Sequence, residues 1–120
     1  MLTKYNPKTD ITRFSAYRSM WLFVFFDLPT ETKKDRKNYT KFRKGLLKDG
    51  FTMQQYSVYI RHCASGENGE MHINRVKSFI PEKGNVIVLQ VTDRQFSNMI
   101  QYFGKLSVGS HSDGFQLEIF

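Results

Sequence analysis

The run Met20-Trp-Leu-Phe-Val-Phe-Phe-Asp-Leu28 constrains this chain more than any other segment. Side chains alternate across a strand. Trp21, Phe23 and Phe25 therefore share one face, and Leu22, Val24 and Phe26 share the other. A strand that is apolar on both faces must be covered on both. Met20 to Phe26 is also far too short to cross a bilayer, which takes about 20 apolar residues. The segment reads as a central, buried strand. A chain of 120 residues is one domain by default. Its own helices can cover one face of the sheet, and a second subunit is expected on the other. The eleven Phe residues and 40% hydrophobic content point the same way, because so short a chain has more apolar surface than one copy hides.

Around that strand the patterning predicts the remaining elements. Residues 1–19, with Pro7 and the scattered Lys4, Lys8, Arg13 and Arg18, read as an N-terminal extension. Pro29 ends the first strand. Thr32 and Asp35 form a capping-box pattern, and a helix runs to about Lys48 with Tyr39, Phe42 and Leu46 as its buried stripe. Gly50 stops it. Residues 51–63 are strand formers, and thirteen of them are too many for one strand, so a kink or two short strands are expected. Ser65 to Gly69 reads as a turn, followed by a second helix over about Glu70–Ile80 with Ile73, Val76, Phe79 and Ile80 inward. Pro81 and Gly84 close it. Asn85–Val91 is another apolar strand. Asp93 is read as the cap of a third helix carrying Phe96, Met99, Ile100 and Phe103 and closed by Gly104. Residues 104–114 read as a polar loop, and Phe115–Phe120 as a terminal strand free to dock on a partner's sheet edge. The order is that of a ferredoxin-like α+β βαββαβ sandwich with an added C-terminal helix and strand. The expected divisions are an extension over 1–19, a core over 20–104, and a C-terminal loop and dimer-docking strand over 105–120.

Charge speaks to partners. Eighteen Lys and Arg against eleven Asp and Glu give +7, which favours polyanions: nucleic acid first, an anionic membrane surface second. The first helix concentrates this charge. It holds eight of the eighteen basic residues: Lys33, Lys34, Arg36, Lys37, Lys41, Arg43, Lys44 and Lys48. Only two acids, Asp35 and Asp49, fall between 33 and 49. Lys33, Arg36, Lys37, Lys41 and Lys44 lie on roughly one solvent side. Such a row neutralises a phosphate backbone and releases counterions, without reading bases. A solvated helix face is the competing reading. One cysteine, Cys63, excludes a disulfide within the chain and a thiolate zinc cluster, and fits a reducing cytoplasmic setting. No apolar signal core begins the sequence.

Among the acids, Asp27 stands out. It follows six apolar residues, Trp21 to Phe26, at the end of the first strand and before the basic helix. A carboxylate held there is suited to Mg²⁺, a hard cation that takes oxygen ligands and keeps several waters. Mg²⁺ beside a phosphate-collecting helix is the equipment of phosphodiester hydrolysis. The alternative is a turn-capping role before Pro29. One carboxylate makes a poor metal site, but a two-fold axis near the strand end would bring two copies of Asp27 to one cation. His62-Cys63 is a poor nucleophile–base pair, because adjacent strand residues face opposite ways. His62, His72 and His111 lack metal-ligand spacing. The aromatic strands lack the signature of an RNA-recognition motif.

Several of these segments also match a family. Phe23-Val-Phe-Phe-Asp-Leu-Pro-Thr30, Arg36-Lys37, Gly50-Phe51, Gln55-Tyr-Ser-Val-Tyr59 and Lys83-Gly-Asn-Val86 stand at spacings that resemble the small CRISPR-associated endonuclease family, the second of the two core spacer-acquisition proteins, over about residues 17–104. The Asp-Leu-Pro-Thr and Lys-Gly-Asn-Val segments look most like members from systems with a single large effector nuclease. The resemblance implies a ferredoxin-like homodimer with its C-terminal strand on the partner. It implies that Asp27 is the Mg²⁺ ligand and catalytic acid, and that the helix-one cations, Lys33, Lys34, Arg36, Lys37, Lys41 and Lys44, meet nucleic acid. It implies metal-dependent cleavage of RNA or duplex DNA, and a bridging role between copies of the CRISPR spacer integrase in which the acid is dispensable. Tyr59 stands where the family usually has Phe. Outside the family, a metal-free ferredoxin-fold RNA-binding or toxin-like module is the alternative.

Overall fold

A computed structural model describes residues 19–110. Strand β1 (Met20–Asp27) leads into helix α1 (Lys33–Lys48), then β2 (Thr52–Gln55), β3 (Val58–Cys63), helix α2 (Gly66–Ser78), β4 (Asn85–Thr92), the short helix α3 (Asp93–Ser97), β5 (Ile100–Phe103) and β6 (Leu106–Ser110). The first four strands form one sheet in the order β2-β3-β1-β4. Every pairing in it is antiparallel. That order is the ferredoxin-like one. Residues 1–18 and the strand expected at Phe115–Phe120 lie outside the described residues.

Strand β1 is central, as its two apolar faces require. Leu22, Val24 and Phe26 join Phe42 and Leu46 of α1 and Val76 of α2 in the main core. Phe26 is its hub, with ring centroids 5.1 Å from Phe42, 5.6 Å from Tyr59 and 5.7 Å from Tyr39. A buried side chain of this kind contributes about 2–3 kcal/mol. On the opposite face Phe23 packs with Ile60 and Phe96, flanked by Trp21, Phe25, Val58, Val91 and Met99. Among the described residues, that face is covered by the short α3 and Met99, with the start of β5 at its edge. Beside it a groove of about 470 Å³ stays open, lined in part by Phe23, Phe25, Val58 and Leu89.

The predicted capping box at α1 is present: Asp35 N–H donates to Thr32 Oγ1 at 3.0 Å, and Thr32 N–H donates to Asp35 Oδ2 at 3.2 Å. Residues 51–63 do break into two strands. The break falls at Tyr56–Ser57, where Ser57 takes φ +66° without help from Gly or Pro.

Several expectations are corrected. Helix α2 starts at Gly66, not Glu70, because Ser65 Oγ caps it by accepting from Asn68 N–H at 3.1 Å. The cap outweighs the poor helix propensity of Gly66 and Gly69, so Ser65 to Gly69 is the helix entry rather than a turn. Ile80 lies beyond that helix and is exposed. The third helix is only five residues long and is capped by Thr92 in a box with Gln95, not by Asp93. The spacing of Phe96, Met99, Ile100 and Phe103 mimics a helix stripe, but Ile-Gln-Tyr-Phe over 100–103 is also a strand former. It pairs with β6, which occupies part of the expected polar loop.

Candidate functional site

Asp27 is the last residue of β1 and sits opposite Asn85, the first residue of β4. Its side chain is exposed. No hydrogen bond or ion pair among the described residues engages its carboxylate, so a role capping the turn before Pro29 finds no support. Its main chain is held from both sides. Phe26 N–H donates to Ser57 O at 3.0 Å. Across the sheet, Gly84 adopts φ +105° and lies so close that a Cβ there would stand 2.9 Å from Asp27 O. The acid is thus an exposed, unengaged carboxylate at the end of a paired strand.

The connection to α1 is braced as well. Arg36 Nη1 donates to Thr30 O at 3.1 Å and to Glu31 O at 3.0 Å. This ties up much of one guanidinium expected to meet phosphate. The lysines are unencumbered. Each helix residue turns about 100°, so Lys33, Lys34, Lys37, Lys41, Lys44 and Lys48 fall within an arc of about 100°, opposite buried Phe42 and Leu46. All six are exposed. The basic row predicted from sequence therefore exists, with Lys48 added to it and Arg36 on its flank.

The fold does not merge the two features into one pocket. By strand alternation Asp27 belongs with Trp21, Phe23 and Phe25 on the open face, whereas α1 packs on the other face with its lysines turned outward. Oxygen chemistry at Asp27 suits a hard cation, but one chain supplies too few ligands. No group of three or more His, Cys, Asp or Glu gathers at one point among the described residues. A cation held here needs donors from a second copy or from a bound phosphate.

His62 and Cys63 face opposite ways, as alternation demands: Cys63 is fully buried, and His62 is exposed beside Trp21, with ring centroids 4.9 Å apart. Burial pushes the Cys63 thiol up, the nearby Arg61 charge opposing it in part. Such a thiol is no nucleophile.

One polar cluster has no counterpart in the sequence reading. Asp49, just past the end of α1, accepts from His72 Nδ1 at 2.7 Å and from Arg75 Nη1 at 3.0 Å. Its carbonyl accepts from Arg61 Nε at 2.9 Å. His72 is only 2% exposed. The cluster ties α1, α2 and β3 together and so fixes where the lysine row points. Only the apolar spacing that pairs the two helices could have hinted at it.

Comparison with known proteins settles the family. The family model described as CRISPR associated protein Cas2 matches residues 20–99. The chain belongs to the Cas2 family. It is 52% identical over 109 residues to a protein named CRISPR-associated endoribonuclease Cas2 from Flavobacterium psychrophilum, covering 91% of this chain and 95% of that one. A second protein of that name, from Parvibaculum lavamentivorans, is 50% identical over 101 residues, covering 84% of this chain and all 100% of its own length. A solved structure titled "Crystal structure of cas2" superposes with a TM-score of 0.50 at 19% identity, over 71% of this chain and 88% of that one, which supports the fold. The match begins at β1 and ends after α3, so the Cas2 signature lies on the sandwich that presents Asp27. No helix among the described residues is long and apolar enough to cross a membrane.

Proposed function

We propose that this Cas2 protein acts in the cytoplasm as a homodimer in CRISPR adaptation, holding duplex DNA along the α1 lysine row while bridging copies of the spacer integrase, and that it is also a Mg²⁺-dependent endonuclease through Asp27. The observation that carries the reading is the separation of two unencumbered features: six exposed lysines on one helix face, and an exposed, unengaged carboxylate on the open face of the sheet. The open face supports the dimer, because Phe25 and Val58 are only half-buried there and Leu89 is 47% exposed. A second copy packed on that face would bring its own Asp27 towards this one. Two such carboxylates would share a cation, whose charge offsets the repulsion between them. A bound Mg²⁺ would supply Lewis-acid polarisation of the scissile phosphoryl group and an activated water. The chain's own part is to fix the backbone of Asp27 through Ser57 and Gly84 and to leave its oxygens open. Cleavage is supported by the relatives' names, which describe an endoribonuclease.

The test pairs light scattering with cleavage and acquisition assays on the full chain and on Asp27→Ala. The expected results are a dimer in both proteins, cleavage of RNA or duplex DNA that is lost in chelator and in Asp27→Ala, and acquisition that persists in the variant. A monomer would sink the shared site. Cleavage that survives chelation would remove the metal, and acquisition lost with Asp27 would overturn the separation of the two roles.

A further inference from the structure

Ser57 is the single non-glycine residue with positive φ among the described residues, at +66°. An L side chain is strained there, and strain of this kind concentrates at functional sites. The strained turn is anchored to β1 by the Phe26 N–H···O=C Ser57 hydrogen bond, one residue before Asp27. Phe25 is paired with Val58. Gln55 pairs with Val58 on the other side of β3, so Tyr56 and Ser57 form the two-residue turn between β2 and β3, and its Ser57 end meets β1 at Phe26. The acid, one residue on, pairs with Asn85 on its β4 side.

Tyr56 is 84% exposed, more than any other large hydrophobic residue described. It takes part in no ring contact or hydrogen bond among the described residues. Tyr59, three residues on, is buried in the core. The fold therefore anchors a strained turn to the last residues of β1 and displays an aromatic ring to water on that turn.

We propose that Tyr56 is a stacking platform for an unpaired nucleobase next to the phosphate held at Asp27. The assignment rests on reading Asp27 as the phosphodiester site. A ring stacks on any base, because every base has a π-face, so the platform tolerates sequence. Bases inside a duplex already stack on one another, so Tyr56 discriminates unpaired from paired nucleotides. The flat ring does this work, and the phenol hydroxyl is not needed.

The test uses a single strand carrying 2-aminopurine and a blunt duplex of the same sequence, with Ca²⁺ in place of Mg²⁺ so that binding is read without turnover. Tyr56→Ala should weaken single-strand binding about tenfold, the scale of one lost stack, and abolish the fluorescence quench. Tyr56→Phe should keep both. Blunt-duplex affinity should stay within about twofold for either variant, because the lysine row carries it. The assignment is overturned if Tyr56→Phe fails as badly as Tyr56→Ala, if duplex binding falls equally, or if Tyr56→Ala changes the dimer mass in light scattering. If Lys37→Glu with Lys44→Glu weakens binding while Tyr56→Ala changes nothing, Tyr56 is removed and the proposed function stands. A wild-type protein that binds neither probe overturns both.

Discussion

Replacing Gly84 with alanine should destabilise this protein by about 3–4 kcal/mol and disable Asp27 with little effect on the lysine row. Gly84 has φ +105°, where an L residue costs about 1–3 kcal/mol. The added Cβ would lie 2.9 Å from Asp27 O, 3.1 Å from Leu28 Cα and 2.5 Å from Leu28 Cδ2. Two of those atoms are main chain at the end of the central strand and cannot rotate away, so overpacking adds a further ~1–3 kcal/mol. Domains of this size are stable by about 5–15 kcal/mol, so the variant still folds. At roughly 4–8 °C per kcal/mol, its Tm should fall by about 12–32 °C. Gly104 is the internal control. It too has positive φ, +69°, but a Cβ there meets nothing within 4 Å. Gly104→Ala should lose only about 1 kcal/mol, or roughly 4–8 °C. Circular-dichroism melts at matched protein concentration measure both, since a dimer's Tm depends on concentration. Well below the lowered Tm, Gly84→Ala should bind duplex DNA as the parent does and lose cleavage. Equal Tm losses in the two variants would refute the contact argument. Intact cleavage would refute the claim that Gly84 sets the backbone of Asp27.

Asp49→Ala should cost about 2–4 kcal/mol in denaturant unfolding, chiefly by leaving the buried His72 nitrogen unpaired, since Arg75 is well exposed and its share is screened. Asp49→Asn, which keeps an acceptor, should recover about half. Lys37→Glu, Lys41→Glu and Lys44→Glu together should weaken duplex binding and flatten the slope of log affinity against log salt by roughly 3, read by fluorescence anisotropy across a salt series. The raised Cys63 pKa has a defined sign. The folded state disfavours the thiolate, so the stabilisation is complete below the unfolded thiol pKa of about 8.5 and declines as pH rises through the folded value. Thiol labelling at pH 8 should accordingly track unfolding.

Several features of the fold and site were legible in the residues. The two apolar faces of β1 made it central, the Thr32/Asp35 box and the stripe of Phe42 and Leu46 placed α1, and the density of lysines marked its outer face. Asp27 was legible as a polar residue ending an apolar run. These are local signals, carried by periodicities of two and 3.6 residues and by capping chemistry. The region after Thr92 was misjudged because Phe96, Met99, Ile100 and Phe103 satisfy a helical spacing while Ile100–Phe103 equally suits a strand, and only pairing with Leu106–Ser110 decides between them.

The basic dimer centred on Asp27 that the sequence suggested is thus redrawn in one respect. The sequence alone determined that a lysine-rich helix and a strand-end acid adjoin in the chain. Tertiary structure decided that they lie on opposite sides of the sheet, because β1 sends Asp27 to the open face while α1 closes the other. It also decided what holds them: His72 and Arg75 come from α2 and Asp49 from just past the end of α1, and Ser57 and Gly84 come from two turns. Those partners lie 23 to 57 residues apart in the chain, beyond the reach of any local pattern.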